Sequence, residues 1–162
     1  MGLREISLTL PNRPGALAGV ARTLAKDRIN LAAIGVDSTP SRGRVRLVVS
    51  DPDRAVTLLA AAGYTPEVRE MMAVRLEDRS GSFLRVLETL AKAKVNVQSV
   101  AILIARESNQ PVVALSASDL AHARKVLRKA GFVPPLAERP MSNADLLAGA
   151  PTIPGESVGL LL

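Results

Sequence analysis

The sequence predicts an α+β fold made of two similar units, each with the element order βαββαβ and each forming a four-stranded antiparallel sheet with two helices on one face. Two observations lead to this prediction. A segment in the first half of the chain recurs 66 positions later, and in each copy a hydrophobic period of two alternates with one of 3.6. The predicted units span residues 1–71 and 72–136, and residues 137–162 form a C-terminal tail.

The repeat is clearest between residues 12–31 and 78–97, where eight of twenty aligned positions are identical. A second matching stretch, from Ser50 to Pro66 in the first copy, aligns at a shift of 68. The identical residues of the first segment are Arg13, Gly15, Val20, Thr23, Leu24, Ala25, Lys26 and Asn30. Duplication on this scale indicates two structural units of one kind.

The first half of each copy has the pattern of a strand followed by a helix. Ile6, Leu8 and Leu10 alternate with polar residues, as in a half-buried strand, and Val74 and Leu76 repeat this pattern in the second copy. Apolar residues at helical spacing come next: Leu17, Val20, Ala21 and Leu24 in the first copy, and Phe83, Val86, Leu87 and Leu90 in the second.

The second half of each copy adds two strands, a helix and a last strand. In the first copy, LAAIGVDS and VRLVV predict the two strands, and a second apolar helical stripe ends at Gly63, as its counterpart does at Gly131. The last strand follows at Glu67–Met71. Because no linker richer than REMM separates it from the second copy, we expect the copies to be closely coupled.

Composition excludes several classes of protein. The chain has no cysteine, which excludes disulfides and sulfur-based zinc sites, and only 2% aromatic residues, which leaves few rings to stack on nucleic acid bases. We attribute the net charge of +6 to a solvated surface. The N-terminus lacks a signal peptide's apolar run, and no apolar stretch approaches the ~18 residues of a membrane span. We therefore expect a cytoplasmic protein without a membrane partner.

Catalytic patterns are missing from the sequence. The only histidine, His122, lies one position off the apolar stripe of the last helix, so we expect it to face solvent. No nucleophile elbow, phosphate-binding loop or metal-ligand spacing occurs. The acidic residues that repeat, Asp51 and Asp119, stand before helices as capping residues do. The sequence thus predicts a protein that is not an enzyme and that has no cofactor or metal site.

The loop before the first helix of each copy is the candidate binding feature, with Asn12 to Gly15 matching Asp78 to Gly81. Asn or Asp at this place often only caps a helix, and that explanation remains open. A glycine also lets a ligand approach the backbone, and helix-start amides attract a carboxylate. A nearby Asn or Asp can accept from an ammonium group. Asn30 and Asn96 recur at the other end of the helix, where a turn or capping role is at least as plausible.

These features together, strand, [Asn/Asp]-x-Pro-Gly, helix and then Ile-Asn-Leu, resemble the ACT domain, and the resemblance covers residues 3 to about 136. The arrangement is similar to stand-alone tandem ACT proteins. The family comprises ferredoxin-like small-molecule sensors, often attached to enzymes of amino-acid metabolism such as phosphoglycerate dehydrogenase and aspartokinase. The resemblance implies a free amino acid as ligand.

The resemblance also implies the binding residues. The ligand loops would be Asn12, Arg13, Pro14, Gly15, Ala16 and Leu17 in the first copy and Asp78, Arg79, Ser80, Gly81, Ser82 and Phe83 in the second. Ser80 replaces the usual proline, so the second loop is less typical. In the family a neighbouring domain's second strand completes the site, which adds Ile34, Val36, Val100 and Ile102 as weaker candidates.

The sheet face opposite the helices suggests partners. In the second copy it carries Val97, Ala101, Leu103, Val112 and Ala114, which is too apolar for a surface in water. The other copy or the same face of a second chain should cover it, and we predict a homodimer. In the first copy, Arg44 and Arg46 point to this face, where RNA-recognition domains of this shape bind. The aromatic residues that such binding needs are missing, which argues against nucleic acid.

The favoured function is a non-enzymatic, amino-acid-binding regulatory protein of amino-acid metabolism. The first alternative is a regulatory subunit of a biosynthetic enzyme such as acetohydroxyacid synthase, whose small subunit has a similar length and begins with an ACT domain. Its second half should not repeat the loop motif as this chain does. RNA binding is the third possibility. The tail from residue 137 is expected to be partly disordered or to dock on a partner, with one short helix at SNADLLAG.

Overall fold

A computed structural model describes residues 3–103 and 111–132 of the chain. In chain order its elements are β1 (Leu3–Pro11), α1 (Ala16–Lys26), β2 (Leu31–Ser38), β3 (Arg42–Val49), α2 (Pro52–Ala61), β4 (Glu67–Arg75), α3 (Ser82–Lys92), β5 (Val97–Leu103), β6 (Val112–Ala117) and α4 (Leu120–Lys129). The predicted last strand of the second copy and the predicted tail fall outside the described residues.

The described strands form one antiparallel sheet of six, in the order β2-β3-β1-β4-β6-β5. This differs from the expected four-stranded sheet in each copy, and β4 is the reason. Its first part, Glu67–Met71, pairs with β1, and its last part, Met72–Arg75, pairs with β6. The segment REMM contains no glycine or proline that would end a strand, so one strand continues from the first ladder into the second.

Helices cover one face of this sheet with two separate apolar cores. The core of the first copy packs α1 and α2 on β1 and β3, with Leu24 and Leu59 at its centre. The core of the second copy packs α3 and α4 on β4 and β6, around Leu90 and Leu127. The stripe predicted for α3 is the face that this helix buries, with Val86 and Leu90 fully buried. In α1 the prediction is only half right, because Val20 and Leu24 are buried whereas Leu17 and Ala21 are exposed.

The opposite face of the sheet is also buried, because the sheet curls. One cluster there, which we call the inner cluster, takes residues from all six strands: Leu3, Ala32, Val48, Met71, Leu103, Val112 and Ala114. Three further alanines, Ala33, Ala73 and Ala101, pack against it. The edge strands β2 and β5 come into contact, although no hydrogen-bonded ladder joins them within the described residues.

The first copy therefore covers most of the apolar face predicted for the second. Val97 is the exception, because a register shift between Val97 and Ser99 turns its side chain into the helix-covered core. Small side chains at the inner positions allow the two halves of the sheet to approach each other closely.

The ends of the four helices have matching backbone conformations in the two copies. Gly63 and Gly131 lie two residues after the ends of α2 and α4, and both have φ of +85°. Arg28 and Lys94 lie at the same place after α1 and α3 and adopt the left-handed conformation without being glycine, with φ of 56° and 57°. In every case the amide after the left-handed residue bonds back to a carbonyl five residues earlier.

The first prediction concerns Lys94. A left-handed conformation costs a non-glycine residue roughly 1–2 kcal/mol, while glycine costs about 0.5–1 kcal/mol through its freedom in the unfolded chain. We expect Lys94→Gly to raise the free energy of unfolding by about 0.5–1 kcal/mol in urea titrations. Ala93→Gly is the control, because Ala93 has φ of −86° and should lose stability. Equal losses in both variants would contradict this account.

The second prediction tests the curl of the sheet. Ala114 is fully buried in the inner cluster. Ala114→Leu should lower the free energy of unfolding by about 1–3 kcal/mol, because the facing strands leave no room for the larger side chain. Ala60→Leu, on the exposed surface of α2, should change it by less than about 0.5 kcal/mol. A neutral Ala114→Leu would mean that the inner face is not packed in solution.

Candidate ligand-binding sites

The two predicted loops have the same geometry. Gly15 and Gly81 directly precede α1 and α3, with φ of +83° and +85°, and no atom lies within 4 Å of where a side chain would begin. Among the described residues no side chain caps α1 or α3, whereas the carboxylates of Asp51 and Asp119 accept from the first-turn amides of Arg54 and His122. The amides of Ala16 and Ser82 already donate to the carbonyls of Arg13 and Arg79, so the first-turn amides that follow them are the ones that a ligand's oxygen can reach.

The capping explanation for the loop asparagine is wrong. The side-chain amide of Asn12 donates to the carbonyl of Thr39 at 2.8 Å, and its backbone amide donates to the carbonyl of Ser41. Asn12 thus ties the loop to the β2–β3 turn and leaves the start of α1 open. The predicted caps Asp51 and Asp119 are confirmed, and His122 is exposed, as expected.

The repeated asparagines at the other helix ends support the fold. The backbone of Asn30 accepts from the amide of Ser50 at 2.9 Å, and the Ser50 hydroxyl accepts from the amide of Asn30 at 3.1 Å. Asn96 and Ser118 form the same two bonds. These residues hold the start of the second strand against the end of the third, which agrees with the turn role.

The loops differ in the space beside them. In the second copy a pocket of about 170 Å³ lies next to Ser82, whose buried hydroxyl has no partner among the described residues. Arg85 forms one wall, with its guanidinium 5.8 Å from the ring centre of Phe132. In the first copy the hydroxyl of Tyr64 lies 2.8 Å from the point where a side chain on Gly19 would begin. The second loop therefore has the more obvious cavity beside it.

A larger cleft of about 440 Å³ lies between the edge strands β2 and β5. Its lining includes three of the predicted residues, Ile34, Val100 and Ile102, together with Leu31, Ala32, Ala33, Gly35, Val48, Ala101, Glu5 and Arg46. The predicted Val36 is exposed on β2 and does not line the cleft. No loop residue lines it either, so the structure does not bring the loops and the second-strand candidates together within the described residues.

Two charged residues of the cleft were not predicted as site residues. Glu5, on β1, is 4% exposed, and one of its carboxylate oxygens accepts from the Ser99 hydroxyl on β5 at 2.9 Å. Arg46, on β3, packs over Gly35 and donates to Asp37 at 2.8 Å. Its Nε atom is buried and has no hydrogen-bond partner among the described residues. Strand alternation placed both side chains opposite the helices but could not show that this face is enclosed.

Two of the three arginines of β3 lie beside acidic residues. Arg46 pairs with Asp37, and Arg44 lies 3.7 Å from Glu67. This partial neutralisation weakens the case for a nucleic-acid surface. In the part of the chain that the structure describes, no group of three metal-ligating side chains occurs, and no helix is long and apolar enough to cross a membrane.

Comparison with known proteins identifies part of the chain. Residues 4–62 match the sequence profile of the ACT domain. The match ends within the first copy and does not extend to the second. No curated protein matches the chain.

Solved structures show the same fold over most of the chain. Protein BT0572 from Bacteroides thetaiotaomicron superposes with a TM-score of 0.77 at 25% identity, covering 90% of this chain and 96% of that one. The regulatory subunit of aspartate kinase from Thermus thermophilus gives a TM-score of 0.58 at 20% identity, covering 80% and 92%. Its counterpart from Thermus flavus gives 0.57 at 20% identity, covering 81% and 94%. These likenesses show that the chain shares its α+β fold with these three proteins.

The third prediction tests the open helix starts. Asp119→Ala should lower the free energy of unfolding by about 1 kcal/mol, because it removes the cap of α4. Asp78→Ala should change it by less than about 0.5 kcal/mol, because no side chain caps α3. Chemical denaturation measures both values. A loss of about 1 kcal/mol in Asp78→Ala would show that α3 is capped in solution and its N-terminus occupied.

Proposed function

We propose that this protein is a non-enzymatic regulatory protein that binds a free amino acid through two ACT units in tandem, residues 1–71 and 72–136. The observation that carries the proposal is the shared loop geometry, an uncapped helix reached through a left-handed glycine in both copies. The loop of the first copy lies in the segment that matches the ACT domain, and the loop of the second copy has the same backbone conformation at its glycine.

The chemistry of these loops suits a carboxylate ligand. The first amides of a helix lack internal partners and carry a partial positive charge, so a carboxylate oxygen can accept from them. Gly15 and Gly81 leave the approach free of side-chain atoms. In the second copy, the unpartnered hydroxyl of Ser82 adds a polar group beside the pocket. Phe83 is partly buried and packs against the core of the second copy, which anchors the start of α3 beside the loop.

Further features favour two related units and a second chain. The paired Asn30–Ser50 and Asn96–Ser118 bonds recur in both copies. Large apolar side chains remain exposed on both edge strands, namely Ile34 and Val36 on β2 and Val100 and Ile102 on β5. We propose a homodimer in which edge strands of two chains meet, so that the loop of one unit and the second strand of another complete each loop site.

A regulatory subunit is the second candidate. The structural likeness to regulatory subunits of aspartate kinase covers four-fifths of this chain and supports it at the level of the fold. In that case a separate enzyme would be the partner, and ligand binding would alter the contact between them. A large enzyme that co-purifies in stoichiometric amounts with the tagged chain, and is released by an amino acid, would favour this candidate over a stand-alone sensor.

The fourth prediction is a thermal unfolding screen against the twenty amino acids at millimolar concentration. A ligand at ~100 times its Kd adds roughly 2.7 kcal/mol, which raises the melting temperature by several degrees. We expect one or two amino acids to do so, and Gly15→Leu or Gly81→Leu to reduce the shift. Each variant is the other's control, because both glycines share conformation and open space. No shift with any amino acid would contradict the sensor and favour the partner-binding subunit.

A further inference from the structure

The cleft between β2 and β5 holds two opposite charges that are not paired with each other. Glu5 is bonded to Ser99, and Arg46 is bonded to Asp37. On the sheet, Glu5 faces Val48 and Arg46 lies two residues further along β3, so the two side chains are diagonal neighbours on one face. Diagonal positions of this kind are roughly 7–8 Å apart. A small molecule can therefore reach both groups at once.

Glu5 lacks a cationic partner, and one donor of Arg46 lacks an acceptor. Glu5 is 4% exposed, and the Ser99 hydroxyl is a neutral donor, so no cation compensates the carboxylate among the described ion pairs. The Nε atom of Arg46 is buried with no acceptor in the described chain. An unsatisfied buried donor of this kind indicates a missing water, ion or ligand.

The repeat shows that the fold does not require these charges. The position of Glu5 is occupied in the second copy by Met71, and that of Arg46 by Ala114, as the matching registers of the β1–β3 and β4–β6 ladders show. Both counterparts are fully buried in the inner cluster. Ser99 likewise corresponds to Ala33 of the first copy. Small or apolar residues thus occupy these positions in the other copy, and the combination of Glu5, Arg46 and Ser99 occurs in one place only among the described residues.

The rest of the cleft is apolar and partly open to solvent. Ile34, Val100 and Ile102 line it and are 51%, 37% and 73% exposed. A volume of about 440 Å³ falls within the range of small-molecule sites. An apolar group entering from solvent would be covered by these three side chains, while its polar end would reach Glu5 and Arg46.

We propose that this cleft binds a free α-amino acid with an apolar side chain, at a site additional to the two loops. The ammonium group bonds to Glu5, the carboxylate bonds to Arg46, and the side chain packs on Ile34, Val100 and Ile102. The inference rests on the proposed function and names a second site and a ligand class for it. Because β2 and β5 belong to different copies, the bound molecule links the two units across the open seam of the sheet.

The test is isothermal titration calorimetry of the full chain with three matched probes. L-Leucine carries both charges, L-leucinamide lacks the carboxylate, and 4-methylpentanoate lacks the ammonium group. We expect L-leucine to bind wild-type protein at least tenfold more tightly than either analogue. In Glu5→Gln, which can keep the bond from Ser99, L-leucine and 4-methylpentanoate should bind equally weakly. In Arg46→Gln, which removes the partner of the carboxylate, L-leucine and L-leucinamide should bind equally weakly.

A second pair of variants avoids changes to buried charges. Leu31→Glu alters an exposed residue of the cleft that has no part in the proposed loop sites, and it should weaken L-leucine binding at least tenfold without changing the melting temperature of the free protein. Val68→Glu is the matched control, because Val68 is an exposed apolar residue of β4 that does not line the cleft. It should leave binding unchanged. Gly15→Leu and Gly81→Leu should also leave the cleft site intact.

The outcomes separate this inference from the function on which it rests. If L-leucine or another amino acid binds and the loop variants abolish binding while Glu5→Gln, Arg46→Gln and Leu31→Glu do not, the cleft site is wrong and the regulatory function stands. If no amino acid binds the wild-type protein, both are wrong, and water alone satisfies Arg46. Binding in the cleft of polar amino acids only would overturn the ligand class.

Discussion

The continuity of β4 is the constraint on which the rest of this structure depends. One strand of nine residues completes the ladder of the first copy and begins the ladder of the second. The two copies therefore cannot turn independently, and their strands must share one twisted surface. With helices on only one face, the other face has to be covered, and the sheet covers it by curling until β2 and β5 meet. The inner cluster and the cleft both follow from this closure.

The inner face shows how a duplicated unit acquires positions that are not equivalent. At one end it is filled by leucine, valine, methionine and alanine from every strand. Toward the seam between β2 and β5, packing gives way to the cleft and to the bond between Glu5 and Ser99, which joins the two copies. The loops repeat, and the cleft does not. A duplicated fold can thus keep a pair of loops alike and form a cleft from residues that differ between the copies.

Most of the helices and strands could be predicted from the sequence, because they depend on interactions between residues that are close together along the chain. Alternation and helical spacing placed the strands and helices, and Asp51, Asp119, Gly63 and Gly131 were recognised as helix-end residues from their positions alone. The same reasoning was wrong for Asn12. Its amide has a competing acceptor in the β2–β3 turn, 27 residues away along the chain, and no local rule reveals that partner. The structure has one sheet of six described strands where two sheets of four were predicted, because β4 continues from one ladder into the next instead of stopping between them.

By itself, the sequence determined that one pattern of strands and helices recurs along the chain, that its cores are aliphatic, and that a glycine directly precedes the first helix of each copy. Hydrophobic period, helix-end chemistry and internal identity are all properties of neighbouring residues. Tertiary structure alone decided that the copies share β4, that the sheet curls, and that Glu5 lies buried against Ser99. Those facts depend on contacts between residues up to 94 positions apart, and such contacts leave no periodic trace in the chain.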